Sequence, residues 1–258
     1  MKIRWMYAFI DCPASTFAAA CDFWTEVTGT RLSMFRGEYD QFTTLIPPQG
    51  DPHLKVQALQ AADDAGGVHL DLSVDDVAAE TKAALALGST PVYQEPDFSV
   101  LRSPGGLAFC LVKWHGESTR APVFQDLTRV RSRLDQVCLD VIPEALETEL
   151  KFWHAMTGWE PLQGSVPEFH VLKPPANMPV RLLVQRLGSS TAPGSDRVRP
   201  SVTAHLDLAC ADVGAAVDRH EDLGAKLVER LERWTVMRDP AGSVYCLTSR
   251  NPQSGMLR

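Results

Sequence analysis

The sequence repeats itself, and this duplication limits the possible folds more than any other feature. Residues 68–111 align without a gap with residues 204–247, 136 positions later, and 16 of the 44 aligned residues are identical. The clearest matches are a His-Leu-Asp-Leu pattern starting at His69 and His205 and a Cys-Leu pair starting at Cys110 and Cys246. Similarity at a fixed spacing is the signature of a repeated structural unit. The chain is therefore predicted to contain two copies of one domain.

The length of the chain agrees with this prediction. Its 258 residues suit two domains, since domains of about 100–150 residues are common and large enough to bury a core. We place the first domain at 1–114 and the second at 134–252. Between them, residues 115–133 form a polar, aperiodic linker that contains Gly116 and Pro122.

The composition excludes several classes of partner. A net charge of −7 argues against nucleic acid, because binding phosphates requires a basic surface. The sequence has no apolar run long enough for a membrane span, and its N-terminus lacks a secretory pattern. The six cysteines are scattered, which is unlike a disulfide framework. We therefore expect a cytoplasmic protein with reduced cysteines, without nucleic-acid or membrane partners.

Each half of the sequence is itself double. A strand, a helix and three further strands are predicted, and the same order follows again within each half. The helices are expected near 15–28, 77–87, 143–157 and 213–223. Each is followed directly by a glycine, and Asp76 and Asp212 stand where helix N-caps belong. The pattern predicts an α+β fold made of four βαβββ units.

This organisation resembles the vicinal oxygen chelate superfamily, and more narrowly its glyoxalase-like and bleomycin-resistance-like domains in tandem. The resemblance rests on the βαβββ order, the two His-Leu-Asp-Leu strands and the Asp-Pro-x-Gly hairpin that starts at Asp239. It implies two domains, each with a U-shaped mixed sheet around a pocket. It also implies four inward side chains per domain that hold a divalent metal, typically His and Glu.

Strand alternation predicts which side chains face these pockets, because successive residues of a strand point to opposite faces. The leucines of the repeated strands are expected to face the helices, leaving the His and Asp side chains in the pocket. His69 and His205 are candidates for acid–base catalysis, although a His beside an Asp also occurs as a simple polar pair. The predicted ligand-binding residues are Gln57, His69, Asp71, Cys110, Gln136, Gln185, His205, Asp207, Cys246 and Trp234.

Matching the family's ligand positions one by one gives an expectation of no metal cofactor. The second domain offers Gln136, Gln185, His205 and Cys246 there. The first offers Gln57, His69 and Cys110, with Met6 or Tyr7 at the remaining position. Neither set includes a carboxylate, and amide oxygens are weak ligands. A metal-independent protein that binds a small, aromatic or polyketide-like molecule in one or both pockets is therefore the leading hypothesis.

Two other hypotheses stay open at this point. One is a metal-dependent lyase, isomerase or dioxygenase of the same superfamily, although the two His and one Glu of extradiol dioxygenases cannot be found in either half. The other is that one domain has become purely structural. A small-molecule ligand or substrate is the expected partner, and the chain is expected to be a monomer or weak homodimer. The wider spacing from Gln185 to His205 predicts a surface loop over 188–195.

Overall fold

The computed structural model describes residues 2–60, 66–164, 166–188 and 201–257. The loop predicted over 188–195 therefore lies, apart from Gly188, outside the described residues. The first repeat consists of β1 (Trp5–Pro13), α1 (Phe17–Thr28), β2 (Arg31–Leu32), β3 (Phe42–Ile46) and β4 (Leu54–Leu59). The second consists of β5 (Gly67–Val74), α2 (Val77–Ala86), β6 (Thr90–Glu95), β7 (Phe98–Arg102) and β8 (Ala108–Lys113).

The second half of the chain has the same order of elements. A short strand, β9 (Phe124–Gln125), comes first. The third repeat consists of β10 (Arg131–Val141), α3 (Leu146–Thr157), β11 (Pro161–Gln163), β12 (Phe169–Leu172) and β13 (Arg181–Arg186). The fourth consists of β14 (Val202–Cys210), α4 (Val213–Asp222), β15 (Lys226–Arg230), β16 (Trp234–Arg238) and β17 (Val244–Thr248). The predicted α+β class and the four βαβββ units are confirmed.

All four repeats share one strand order. The first strand of a repeat neighbours the fourth, the fourth neighbours the third, and the third neighbours the second. The first and fourth strands are parallel in the pairs β1–β4, β5–β8 and β14–β17. The hairpins β3–β4, β7–β8 and β16–β17 are antiparallel. Strands β1–β8 belong to one sheet of eight strands, and β9–β17 belong to a second sheet of nine. Both sheets are mixed.

Helix ends lie close to where the sequence predicts them. α1 and α3 end at Gly29 and Gly158, which adopt the left-handed conformation with φ of 62° and 70°. Glycine is favoured there because a side chain would be strained. Asp76 and Asp212 accept hydrogen bonds from the backbone N–H groups of Ala79 and Ala215, at 2.9 and 3.0 Å, and so cap α2 and α4.

The chain divides into two compact units, and each unit draws on both halves of the sequence. The first contains Met1–Met6, His69–Glu117 and Val137–Ala204. The second contains Tyr7–Val68, Ser118–Gln136 and His205–Arg258. We propose that the boundaries predicted at residues 114 and 134 separate the two repeats of the sequence. The compact units are different, because each combines residues from both halves.

In the first unit, helix α3 packs on strand β8 through aromatic rings. Phe109 contacts Phe152 and Trp153 with ring centroids 5.8 and 5.4 Å apart. Phe109 and Trp153 are fully buried. Burying an aromatic side chain removes about 150–250 Å² from water, and full burial of a large apolar side chain stabilises a fold by about 1.5–3 kcal/mol. The face of β8 opposite Cys110 is therefore the one that holds the helix.

A buried carboxyl group joins the same helix to the hairpin before β8. Glu149 is fully buried, and its oxygens accept hydrogen bonds from the Gly105 backbone N–H at 2.6 Å and the Trp153 indole N–H at 2.8 Å. Burial raises the pKa of Glu149, and these hydrogen bonds oppose that rise. The carboxyl thus satisfies two donors that could not reach water.

The second unit also has a buried acid between its helix and its hairpin, but the acid is a different residue. Tyr245 on β17 contacts Trp24 of α1 at 5.3 Å between ring centroids. The Trp24 indole N–H donates to Asp239 at 2.9 Å, and Asp239 lies in the hairpin before β17. Burial raises the pKa of Asp239, opposed by its hydrogen bonds. The helix residue that matches Glu149 is Ala20, and the hairpin residue that matches Asp239 is Ser103. The buried acid therefore lies on the helix in the first unit and in the hairpin in the second.

In the part of the chain that the structure describes, no helix combines the length and apolar character needed to cross a membrane.

Candidate metal centre

Strands β14 and β17 bring three potential metal ligands together. The two strands are parallel, with Asp207 opposite Cys246, while the intervening Leu206 and Leu208 are buried toward the other face. His205 precedes Asp207 by two residues and so shares its face. One donor atom each from His205, Asp207 and Cys246 lies within 4.8 Å of the others. A divalent ion with bond lengths near 2.0–2.3 Å fits a donor set of this spacing.

The spacing between His205 and Asp207 is compatible with ligation of a common ion. His205 Nε2 lies 3.3 Å from Asp207 Oδ1. That oxygen is buried, yet it accepts no hydrogen bond from any described residue. Buried polar atoms normally have a partner. The two donor atoms are therefore close enough to bind one ion together.

The first half of the chain contains a matched donor set. Asp71 on β5 is opposite Cys110 on β8, in the same parallel register as in the second copy. His69 Nε2 lies 3.8 Å from Asp71 Oδ1, and the donor atoms of His69, Asp71 and Cys110 lie within 4.8 Å of one another. We call these residues the first donor set, and His205, Asp207 and Cys246 the second donor set. All six side chains are at least largely buried.

The expectation of no metal cofactor is wrong. Each donor set supplies an imidazole, a carboxylate and a thiol, a combination that suits borderline divalent metals. The four positions that the family uses for its metal contain no carboxylate in either half of this chain. Strand alternation placed Asp71 and Asp207 in the pocket, but they were not counted as ligands. In the structure, each Asp follows its His by two residues along the strand and is opposite the Cys of the neighbouring strand. The three donor atoms therefore lie close together.

The predicted glutamines have different surroundings. Gln185 Oε1 lies 3.8 Å from Cys138 Sγ in the first unit. Gln57 on β4 is opposite Asp11 on β1 in the second unit. Gln136 is almost fully buried, and neither atom of its amide has a hydrogen-bond partner among the described residues. A buried amide of this kind is suited to bind a ligand.

Trp234 lies on the same face of the fourth repeat as the second donor set. Val236 is opposite Cys246, and Trp234 is opposite Thr248, two residues further along β17. Because strand faces alternate, Trp234, Cys246 and Asp207 point to one side of this sheet. Trp234 is half-buried. An indole so placed can stack on a flat molecule.

Two polar residues on β10, Cys138 and Asp140, were not among the predicted site residues. Cys138 Sγ is 4.0 Å from Asp140 Oδ1 as well as close to Gln185. Both follow Gln136 at steps of two, so the alternation that identified Gln136 would also have found them. The matched strand β1 is different, because there the ammonium group of Lys55 lies over the rings of Tyr7 and Phe9, at 4.1 and 5.0 Å. Gln136 and Cys138 thus stand where the first repeat has the aromatic residues Tyr7 and Phe9.

Three of the other cysteines, Cys12, Cys21 and Cys210, behave as packing residues. All six cysteines are free and buried. Burial raises the pKa of Cys12 and Cys210 to about 12 and that of Cys21 to about 11. The thiolate is the form that binds metal, so these three thiols are poor ligands. Cys110 and Cys246 differ from them in having an imidazole and a carboxylate alongside.

The fold and the paired donor sets define a tandem member of the vicinal oxygen chelate class. The family profile described as "Glyoxalase-like domain" matches the chain twice, over residues 7–112 and 136–248. The chain belongs to this glyoxalase-like domain family. The resemblance inferred from the sequence is therefore confirmed.

Several solved enzyme structures are similar to this chain. A triple mutant of 4-hydroxymandelate synthase from Streptomyces coelicolor is 15% identical with a TM-score of 0.63, covering 99% of this chain and 95% of that one. A 2,3-dioxygenase from Pseudomonas sp. KL28 is 10% identical with a TM-score of 0.62, covering 99% and 94%. The 2,2',3-trihydroxybiphenyl 1,2-dioxygenase from Sphingomonas wittichii RW1 is 14% identical with a TM-score of 0.60, covering 96% and 90%. At these identities the likeness shows the fold. No curated protein sequence matches the chain.

Proposed function

We propose that this protein is a metal-dependent enzyme that acts on a small, oxygen-bearing and flat organic molecule. The observation that carries the proposal is the convergence of His205, Asp207 and Cys246, repeated at His69, Asp71 and Cys110. Three protein ligands leave a coordination position for substrate, as catalytic zinc sites do. A metal bound there would polarise a substrate oxygen as a Lewis acid.

The second donor set is the proposed catalytic one. Gln136, in the same compact unit, offers a buried amide whose two polar atoms are available to a ligand. Its counterpart in the first repeat is Tyr7, as judged from the offset of 129 residues between α1 and α3. Trp234 supplies an aromatic surface on the ligand-bearing face, and His205 and Asp207 would hold the ion. These contributions make the second half the stronger candidate for catalysis.

The thiol ligand favours a lyase or isomerase reaction. A cysteine thiolate is readily oxidised, so a reaction without oxygen is better matched to Cys110 and Cys246 as ligands. A dioxygenase is the second candidate, because the similar structures include ring-cleaving dioxygenases that cover nearly the whole chain. Oxygen uptake in the presence of catechol separates the two, since a lyase or isomerase consumes none.

Metal content tests the proposal without knowledge of the substrate. Protein purified in the absence of chelators is expected to contain about one transition-metal ion per donor set, because each set supplies three ligands within reach of one ion. Elemental analysis of the dialysed protein measures this. A chain that holds no transition metal, and takes up none when zinc, iron(II) and manganese(II) are supplied, would contradict the proposal.

We also propose that the protein works in a reducing compartment, the cytoplasm. Its six free, buried thiols support this, since disulfides form in oxidising compartments. A monomer or weak homodimer is proposed as its state, because the tandem chain already contains both domains that single-domain relatives bring together by dimerising.

A further inference from the structure

Ser73 adds a polar group to the face that carries the first donor set. It follows Asp71 by two residues on β5, so His69, Asp71 and Ser73 point to one side of the strand. Across the parallel pair, Ser73 is opposite Val112 on β8, and the neighbouring row on this face has Asp71 opposite Cys110. All of these residues belong to the first compact unit. Ser73 is therefore the next side chain along the strand from the donor set.

The hydroxyl group of Ser73 is buried and suited to bind a ligand. Ser73 is 1% exposed, and its Oγ has no hydrogen-bond partner among the described residues. Buried polar atoms normally have a partner. A molecule bound to an ion at the first donor set would lie beside this hydroxyl group and supply the acceptor.

The second half of the chain has a different arrangement at the matched positions. The residue that matches Ser73 is Ala209, and it is opposite Thr248 on β17. The Thr248 hydroxyl group donates to the Leu208 carbonyl at 3.2 Å, so it already has an acceptor. The two donor sets thus supply the same three ligand types but differ in the hydroxyl group beside them.

The rest of the row that contains Ser73 is apolar. Phe98 on β7 is opposite Val112, so both side chains lie on the same face as Ser73. Both are half-buried. A molecule whose polar end lies at Ser73 therefore has an apolar surface on which its carbon chain can pack.

A carboxylate fits the ion and the hydroxyl group together. One of its oxygens can bind the ion at about 2.1 Å while the other accepts an O–H···O hydrogen bond from Ser73 at about 2.7 Å. Hydrogen bonds to a charged acceptor are roughly twice as strong as neutral ones. We propose that the first donor set, with a metal bound as in the proposed function on which this inference rests, is a site for small carboxylic acids with an apolar chain. Ser73 selects them by donating to the second carboxylate oxygen.

Cobalt(II) makes each donor set visible separately. A thiolate bound to cobalt(II) absorbs in the near ultraviolet, so the Cys246→Ser chain reports on the first donor set and the Cys110→Ser chain on the second. Butyrate is the probe, and it is expected to shift the band of the first donor set at about tenfold lower concentration than that of the second. A hydrogen bond to a charged group accounts for a difference of this size.

Ser73→Ala, made in the Cys246→Ser chain, is expected to remove the preference for butyrate and to leave the affinity for pyridine unchanged. Pyridine binds a metal through its one polar atom, so it makes no use of the hydroxyl group. Ser89→Ala is the matched control and should change neither affinity. Ser89 is also a buried serine whose Oγ has no partner among the described residues, but it lies between α2 and β6, outside the strands of the donor set.

The experiment distinguishes this inference from the proposed function. Equal butyrate affinity at the two donor sets, or an affinity that Ser73→Ala leaves unchanged, would overturn the role of Ser73. The metal proposal would survive either result, because the thiolate band is present before butyrate is added. A chain that gives no band with cobalt(II) would contradict the proposed function, and this inference with it.

Discussion

Replacing His205 with alanine is expected to weaken metal binding at the second donor set by about 100-fold or more. Removing even a group that only supports a metal ligand commonly costs 10–100-fold in affinity, and His205 is proposed as a ligand itself. The remaining Asp207 and Cys246 would leave the ion with two protein donors. Competition with a chromophoric chelator, titrated against the metal-loaded chain, measures the affinity of each donor set.

The duplication provides the control for this experiment within the same chain. His69→Ala is expected to weaken the first donor set to a similar degree and to leave the second unchanged. His115→Ala should alter neither, because His115 is exposed and belongs to neither set. If His205→Ala and His69→Ala both retained two ions at the original affinities, the histidines would be structural and the proposed ligands would be wrong.

Replacing Glu149 with alanine is expected to lower the free energy of unfolding by about 3 kcal/mol or more. Its carboxyl accepts hydrogen bonds from Gly105 and Trp153, and each buried donor left without a partner costs about 1–3 kcal/mol. Urea denaturation followed by tryptophan fluorescence measures the loss. Glu147→Ala on the same helix should have little effect, because Glu147 is exposed and pairs only with Lys151.

A second substitution, added to Glu149→Ala, tests whether the buried acid can be moved from the helix to the hairpin. The second unit combines Ala20 on the helix with Asp239 in the hairpin, and the double variant Glu149→Ala with Ser103→Asp recreates that combination in the first. We expect it to recover more than half of the lost stability, since the new carboxylate can reach the Trp153 indole as Asp239 reaches Trp24. Ser103→Asp alone is expected to destabilise the chain, because two acids would then share one buried site. A double variant less stable than Glu149→Ala would show that the two arrangements are not equivalent.

Local signals in the sequence predicted the fold well. Glycine after each helix and an aspartate before α2 and α4 act within a few residues, so their effects can be read from the sequence directly. The different positions of the buried acid, Glu149 on a helix and Asp239 in a hairpin, could not be predicted in this way. They depend on contacts between residues far apart in the chain, such as Trp24 and Asp239, 215 positions away.

The candidate site was predicted in part. Alternation along β5 and β14 predicted that His69 shares a face with Asp71 and that His205 shares a face with Asp207. The two carboxylates were not counted as metal ligands, because the family's four ligand positions do not include them. The prediction was wrong because it took only the family's four positions as possible metal ligands. In the structure the parallel register of β14 with β17 decides which donors meet, and it places Asp207 opposite Cys246.

Cobalt(II) absorption tests the central claim, that each donor set holds a metal through its cysteine. A thiolate bound to cobalt(II) gives a charge-transfer band in the near ultraviolet, which imidazole and carboxylate ligands alone do not. Titration of the metal-free chain is expected to produce this band, and Cys246→Ser is expected to reduce it by about half. The band should disappear when Cys110→Ser is added, and Cys210→Ser, which changes a buried cysteine outside both donor sets, should leave it intact. No band in the unmodified chain, or a band unchanged by the double substitution, would contradict the account.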